Sequence, residues 1–309
     1  MGKYIHHWMD GEWGNSRDRG ARGDALLPPP KEERMKETGY MPAEWEYQEQ
    51  GAREYRKKGV MLYRTKETYA GEFLDVEMYP VIDMDHAGHG RGNRTKEAQK
   101  KLNAKNAQKK LARLMNANFG KGDLLVHLTC AKNEGEETAM RQARNFISRL
   151  RTRARKAGAA LKYIYVIETT GENEHMRHHI HMVMNGGWIE RDDVEKLWGH
   201  GLSRVDRYQE QDGGLKGFAM YITNRKSTQE KLLKRKWASS KNLIKPITKE
   251  SSTRFSRRAA MKIAMNAETD AKKEFEKRYP GYRLIEMPEI RYSDMMPGAY
   301  IYASMRRMN

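Results

Sequence analysis

The 309-residue sequence has little cysteine and no long apolar run. Its single cysteine, Cys130, excludes a disulfide within the chain, so a reducing compartment is expected. No apolar stretch approaches the ~20 residues that a membrane-spanning helix needs, and residues 1–6 lack the apolar centre of a signal peptide. These absences argue against a secreted disulfide scaffold and against a membrane protein, and they favour the cytoplasm.

Positive charge is present in excess. The sequence contains 59 Lys and Arg against 41 Asp and Glu, which gives a formal net charge of +18. A surplus of this size makes a polyanion, above all a nucleic acid, the expected partner.

Apolar periodicity divides the chain into three regions. Residues 1–57, rich in Gly, Arg, Glu and Pro, are predicted to be a basic and poorly ordered N-terminal region. Residues 58–250 alternate strands and helices, and residues 251–309 add a helix and strands that pack on this core or complete it. The elements lack the rhythm of a doubly wound fold, so we expect an α+β fold whose central, largely antiparallel sheet is flanked by helices.

The expected elements follow from period-2 and period-3.6 patterns. The strands are predicted over residues 60–63, 73–79 (closed by Pro80), 124–130, 163–168, 177–184, 202–208, 282–286 and 299–305. The helices are predicted over residues 95–114, 134–157, 189–198, 214–224 and 253–277. Residues 163–184 are predicted to form a β-hairpin with a long polar loop.

A run of histidines, His178-His179-Ile180-His181, stands in the second strand of this hairpin. Side chains two residues apart on a strand share a face, so His179 and His181 project together. His178 points the other way unless a bulge intervenes. Two imidazoles in this arrangement form a two-point clamp for a metal ion. Surface histidines on an edge strand would give the same pattern.

Glu168 ends the first strand of the hairpin. Facing residues of a hairpin lie ~5 Å apart, so Glu168 can bring an oxygen ligand to the face of His179 and His181. Two nitrogens and a carboxylate suit a catalytic divalent cation, Mg²⁺ or Mn²⁺, that also holds a substrate oxygen. A solvated glutamate is the alternative reading.

Tyr221 is the candidate nucleophile. It lies in the predicted helix over residues 214–224, beside the core-facing positions Leu215, Phe218 and Ile222. A tyrosine in such a place is most often a core or boundary residue. Tyrosine is nevertheless a good nucleophile for phosphate, because phenolate is a tolerable leaving group and the step is reversible.

Together these motifs resemble the HUH endonucleases, and in particular rolling-circle replication initiators akin to the filamentous-phage gene II replication protein. The histidine motif with a downstream tyrosine carries the resemblance. Residues 126–130 look like the family's first motif, residues 163–168 like its metal-binding hairpin and residues 220–223 like its nucleophile motif. Residues 237–246, 278–282 and 300–303 are similar to the gene II subgroup. One departure is Asn224, where the family commonly has a lysine; Arg225 and Lys226 follow it.

The resemblance implies a metal-dependent nicking and rejoining enzyme. His179, His181 and Glu168 would hold the cation, and Tyr221 would attack the scissile phosphate. The products would be a 5′-phosphotyrosine and a free 3′-OH that primes synthesis. The implied partners are single-stranded or hairpin DNA at an origin and a host polymerase in a bacterial cell. A separate host helicase is implied as well, since the sequence has no P-loop motif.

Basic residues of two stretches are expected to contact DNA phosphates. They are Arg149, Arg151, Arg153, Arg155, Arg225, Lys226 and Lys241. A solvated surface is the competing interpretation for each stretch.

Other functions remain compatible with the same motifs. A relaxase or a single-strand transposase would use the same chemistry in another process. A non-catalytic DNA-binding protein would not need Tyr221, and a metal-dependent hydrolase would cleave without a covalent adduct. The oligomeric state is not readable from the sequence.

Overall fold

The computed structural model describes residues 61–82, 96–130, 135–170, 177–224, 237–293 and 296–308. By its internal contacts the chain divides into two units, Met1–Gly59 and Val60–Asn309. The N-terminal region predicted over residues 1–57 lies outside the described residues, and everything below concerns the second unit.

The described elements alternate between strands and helices along the chain. The strands are β1 (Met61–Ala70), β2 (Phe73–Ile82), β3 (Leu124–Thr129), β4 (Tyr163–Thr170), β5 (Arg177–Met184), β6 (Ser203–Arg207), β7 (Ala238–Ser239), β8 (Ile247–Ser251), β9 (Tyr282–Leu284), β10 (Glu289–Ser293) and β11 (Met296–Arg307). The helices are α1 (Lys96–Asn116), α2 (Glu136–Lys156), α3 (Arg191–Lys196), α4 (Lys216–Asn224), α5 (Arg257–Met265) and α6 (Lys272–Arg278), with a π-helical turn, Ala267–Ala271, between the last two.

One sheet, called the site sheet below, has the strand order β6-β3-β5-β4-β7. All its pairings are antiparallel. Helix α2 covers one face, where Phe146, Ile147 and Leu150 pack against buried strand residues such as Val126 and Ile180. Helices α1 and α4 cover the apolar part of the opposite face.

The second sheet, called the outer sheet, has the order β10-β11-β2-β1-β8, with β9 paired to β11. Its strands come from both sides of the site sheet in the sequence. Strand β2 pairs β1 along its whole length and pairs β11 from Phe73 to Met78. The outer sheet therefore forms only when distant parts of the chain meet.

Helix α1 contacts both sheets. Its Leu111 and Met115 are fully buried in the core against the site sheet. On its other side Arg113 Nε donates to Asp75 Oδ2 at 2.6 Å, and Lys109 Nζ donates to Glu77 Oε1 at 2.8 Å. We call the set Asp75, Glu77, Lys109, Arg113 and Tyr300 the charged network. Tyr300 completes it, because its hydroxyl also donates to Glu77, at 2.9 Å.

The predicted α+β class, with an antiparallel sheet flanked by helices, is confirmed. The prediction for residues 60–63 was too short, because β1 runs on to Ala70. Its inward side chains there include the buried polar residues Thr65 and Glu67, which an apolar pattern does not reveal. Strand β2 also passes through Pro80, where it pairs only with β1, so no partner needs the missing N–H on the other side.

The single helix predicted over residues 253–277 is wrong. Asn266 leaves helical geometry at φ −129° and ψ 56°, and the chain continues as a π-helical turn and then α6. Within the described ranges, no helix is both long and apolar enough to span a membrane.

Candidate active site

Three histidines meet on one face of the site sheet. His179 and His181 lie on β5, and His127 lies opposite His181 on β3. The rings of His127 and His181 are stacked, with centroids 4.6 Å apart, and His127 Nε2 lies 3.2 Å from His179 Nδ1. Because directly paired residues of antiparallel strands share a face, the register alone brings these imidazoles together.

Glu168 joins the histidines from the other neighbouring strand. On β4 it pairs directly with His179, as the hairpin predicted, and it is buried. Its Oε2 lies 2.8 Å from Nε2 of His181, which is 1% exposed. We call His127, Glu168, His179 and His181 the histidine cluster.

Two threonines hold His179 in place. Thr129 Oγ1 lies 3.1 Å from its Nδ1, and Thr170 Oγ1 lies 2.9 Å from its Nε2. Thr129 comes from β3 and Thr170 from β4, so the ring is fixed from both sides. The sequence prediction missed His127 and Thr129 as parts of the site. The sequence does show that His127 and Thr129 stand two residues apart in a predicted strand and so share a face. It does not show the register between β3 and β5, which brings that face to His179 and His181.

Burial shifts every titrating group of the cluster toward its neutral form. It lowers the pKa of His127 to about 3 and that of His181 to about 4, and it lowers the pKa of His179 as well, with help from His181. Burial also raises the pKa of Glu168, although His179 acts against it. The imidazoles are therefore neutral at physiological pH, which is the form that binds metals.

Tyr221 lies beside this cluster. Its ring and that of His181 are nearly perpendicular, with the centroids 5.3 Å apart and the planes at 81° to each other. Burial, and next the charge of Glu168, raise the pKa of Tyr221 to about 12. The structure thus brings the predicted nucleophile next to the predicted ligands.

Helix α4 presents Tyr221 through contacts at the helix start. Asn116 Oδ1 accepts a hydrogen bond from Leu215 N at 2.7 Å. Gly214 before it has φ +61°, and a Cβ there would come within 2.6 Å of Asn116 Oδ1. A larger residue at this position would push α4 away. Phe218 and Ile222 of this helix pack against the site sheet.

His178 lies on the opposite face of β5, as its strand parity predicted. It is fully buried, and its Nδ1 lies 3.0 Å from Thr169 Oγ1. No bulge brings it to the cluster, because β4 and β5 stay in register from Tyr163 to Thr170.

The five predicted DNA contacts that the structure describes lie away from the histidine cluster. Arg149, Arg151, Arg153 and Arg155 belong to α2, which covers the other face of the site sheet. Lys241 is exposed and follows β7, which pairs with Ile164 and Tyr165 near the end of β4 remote from Glu168. Arg225 and Lys226 lie outside the described residues. Asn224 accepts a hydrogen bond from Gln108 at 2.6 Å.

The cluster has the donor groups of a divalent-cation site, but these groups are not arranged around a common point where an ion could bind. Its donors are three neutral imidazoles and one carboxylate. Across the described ranges, however, no group of three or more His, Cys, Asp and Glu side chains is arranged to hold a metal ion. Glu168 and His181 instead contact each other, so a shared cation would have to replace that contact.

The structure thus brings three histidines, a carboxylate and a tyrosine together on one antiparallel sheet. Residues 123–226 match the family described as Replication-associated protein ORF2/G2P. This segment runs from β3 to just beyond α4 and contains the whole histidine cluster and Tyr221. Residues 123–226, called the replication-associated segment below after the family that they match, are thus similar to that family, and the predicted similarity to gene II-like replication proteins is confirmed. No curated protein and no solved structure gives a match.

Proposed function

We propose that the protein is a rolling-circle replication initiator that nicks and rejoins single-stranded DNA through Tyr221. The observation that carries the proposal is the meeting of Tyr221 with the histidine cluster inside the replication-associated segment. Its setting would be the cytoplasm of a bacterial host, at the origin of a phage, plasmid or integrated element.

The proposed step is an in-line exchange at phosphorus. The Tyr221 oxygen forms a bond to the scissile phosphate while the bond to the 3′ oxygen breaks. The phenol gives up its proton, and the departing 3′ oxygen gains one, which leaves a 5′-phosphotyrosine and a free 3′-OH. Because burial keeps the phenol protonated at neutral pH, deprotonation must accompany the attack. The same exchange in reverse rejoins the strand.

Glu168, His179 and His181 are proposed to hold a divalent cation, Mg²⁺ or Mn²⁺. When bound, it would supply positive charge that polarises the phosphate and offsets the charge of the transition state. A metal-bound histidine keeps only one ring nitrogen for a hydrogen bond, so the cation would take the place of Thr129 or Thr170 at the His179 ring, and the other threonine would keep the ring in one orientation. Host polymerase would extend the 3′-OH, and a host helicase would open the duplex.

Covalent capture tests the reaction. The full chain is incubated with a pool of single-stranded and hairpin DNA and Mn²⁺, and adducts that resist SDS are sought by gel shift. We expect an adduct with the parent protein that disappears with EDTA and with Tyr221→Phe. Tyr163→Phe is the matched control, because Tyr163 begins β4 at the end remote from Glu168 and should leave the adduct intact.

Each other outcome selects a rival function. Cleavage that survives Tyr221→Phe without an adduct would identify a metal-dependent hydrolase. Binding of the pool with neither adduct nor cleavage would identify a DNA-binding protein without catalysis. An adduct formed on a transfer or transposition end, and not on an origin, would identify a relaxase or a transposase.

Metal binding is tested without catalysis. The free Mn²⁺ signal in electron paramagnetic resonance falls when the protein binds the ion. We expect Glu168→Gln to weaken binding at least ~10-fold, which is the lower end of what even outer partners of a metal site contribute. Glu190→Gln, at an exposed position before α3, is the matched control. Equal binding by both variants would contradict the assigned ligands.

A further inference from the structure

From Thr138 to its end, the outer face of α2 carries cations without anions. Seven cations follow Thr138 in this helix, and no Asp or Glu occurs from Thr138 to Lys156. The cations are Arg141, Arg144, Arg149, Arg151, Arg153, Arg155 and Lys156. All are exposed except Arg149, which is half-buried. This face points away from the histidine cluster, because α2 packs on the other side of the site sheet.

Six of the seven cations fall into two rows along the helix. At about 100° per residue, positions three, four, seven or eleven apart lie nearly one above another. Arg144, Arg151 and Arg155 form the first row. Arg149, Arg153 and Lys156 form the second row.

A row of short polar side chains separates the two cation rows. Asn145, Ser148 and Thr152 form this middle row together with the seventh cation, Arg141, which precedes them by four, seven and eleven residues, and all four are exposed. An open groove of about 530 Å³ is lined by the middle row, the second cation row and Leu197. The outer face of α2 thus has short hydrogen-bonding groups and Arg141 in its centre and cations on both flanks.

The two cation rows differ in their present partners. In the second row Arg149 donates to the Trp198 carbonyl at 3.0 Å, and Arg153 pairs with Asp193 at 3.3 Å. The first row, Arg144, Arg151 and Arg155, makes no ion pair with any residue that the structure describes. Its charges are therefore available to a polyanion.

We infer that α2 lies in the major groove of double-stranded DNA. A helix about 10–12 Å across fits a groove about 12 Å wide. Its two cation rows then face the phosphates of the two strands, and its middle row faces the base edges. The inference rests on the proposed function only in taking DNA as the substrate.

The composition of this face distinguishes duplex from single-stranded DNA. Proteins that bind single strands stack bases on exposed aromatic rings. The aromatic residue of α2, Phe146, is fully buried under the helix. The face therefore has no ring on which an unpaired base could stack. Double-stranded RNA fits poorly as well, since its major groove is too deep and narrow for a helix.

Fluorescence anisotropy on the full chain tests the inference. Tyr221→Phe is the background, so that binding is measured without cleavage. The probes are a 20-base-pair DNA duplex, the matching 20-nucleotide single strand and an RNA duplex of the same sequence, each titrated at several salt concentrations. One variant combines Arg144→Gln, Arg151→Gln and Arg155→Gln. Its control combines Lys272→Gln, Lys273→Gln and Lys277→Gln, which removes the same charge from exposed positions of α6.

We expect the first variant to weaken duplex binding selectively. The slope of log K against log salt should fall by about three for the DNA duplex, one for each lost phosphate contact. The ratio of duplex to single-strand affinity should fall at least ~10-fold, while the control changes it by less than ~2-fold. Guanine N7, which faces the major groove, should be protected from methylation by the parent protein and not by the variant.

Three results would overturn the inference. Equal losses in both variants would mean that only net charge matters. A larger loss for the single strand would assign α2 to the path of the cleaved strand. RNA duplex that competes as well as DNA duplex would exclude insertion into the groove. None of these readings depends on covalent capture, so the failure of one proposal is distinguishable from the failure of the other.

Discussion

Each of the two sheets carries a cluster of polar side chains that are at least partly buried, and the pKa of the glutamate shifts in opposite directions in the two clusters. In the charged network of the outer sheet, carboxylates meet cations at hydrogen-bonding distance. In the histidine cluster of the site sheet, a carboxylate meets neutral imidazoles. Glu77 and Glu168 are the same residue type in these two surroundings. Burial alone would raise the pKa of both.

The outcomes diverge because only one cluster contains compensating charge. For Glu77, burial is outweighed by Arg113, Lys109 and Tyr300, and the pKa falls below its ordinary value. For Glu168, burial prevails and the pKa rises. In the charged network the carboxylates are paired with cations of the protein itself, so its presence inside the fold does not indicate a binding site. A cluster whose groups are all shifted toward their neutral forms is typical of a functional site, and for this reason we assign function to the histidine cluster.

Breaking the charged network should have the largest effect on stability. Arg113, 14% exposed in its side chain, bridges Asp75 and Glu77. Arg113→Met leaves these carboxylates without their main cation, and we expect a loss of about 3–5 kcal/mol in the free energy of unfolding. Urea unfolding measures it, and Lys110→Met, at an exposed position on the same helix, is the control. A loss below about 1 kcal/mol would show that the network contributes no more to stability than an exposed ion pair does.

Acid should weaken the histidine cluster before the charged network. The folded-state pKa of His127 and of His181 is about 3 and about 4, below the ordinary value of 6.5. Their stabilising contribution is therefore complete above pH 6.5 and is lost as the pH falls toward those values. Glu77 begins to lose its contribution only below its ordinary value of 4.5.

Unfolding free energies at pH 7.0, 6.0 and 5.0 measure this order. Each of these histidines contributes at most about 1.4 kcal/mol per pH unit in that range. His127→Gln should reduce the slope, whereas Glu77→Gln should leave it unchanged. If only Glu77→Gln changed the slope of the unfolding free energy against pH, the charged network and not the histidine cluster would be the more sensitive to acid.

The smallest effect is expected at Glu168. Since its folded-state pKa is raised, its favourable contribution is present below pH 4.5 and is lost as the pH rises, so the ionised form is a cost at pH 7. Glutamine keeps the shape and a hydrogen bond to His181. We expect Glu168→Gln to change stability by less than about 1 kcal/mol. The matched Glu77→Gln should cost about 1.5–3 kcal/mol, as the loss of charged hydrogen bonds does. Similar costs would contradict the distinction.

The local part of the site could be predicted from the sequence. Strand parity separates His178 from His179 and His181, and a hairpin brings Glu168 opposite His179. His127 could not be predicted, since its neighbours depend on the register between β3 and β5, and His127 and His179 are 52 positions apart in the sequence. The position of the α2 arginines relative to the histidine cluster could not be predicted either. A helical pattern shows which residues face outward, but not which face of the sheet the helix covers.

The outer sheet was the least predictable part of the fold. Its first strand buries Thr65, Glu67 and Thr68, whose polarity conceals the core-facing side of β1. Its charged network consists of residues that a sequence pattern assigns to a solvated surface. Only the packing of α1 between the sheets explains why those charges are inside.

The topology of the outer sheet has a consequence for biosynthesis. Strand β2 gains its neighbour β11 only after the site sheet has already been translated, because β11 follows every other described element. Domains form progressively as the chain leaves the ribosome, and pairings across such a sequence distance close slowly. Until β11 has been translated, the edge of β2 stays open to other strands. Ribosome-bound chains of this protein should therefore need chaperone protection at that edge, and chains truncated before β11 should aggregate.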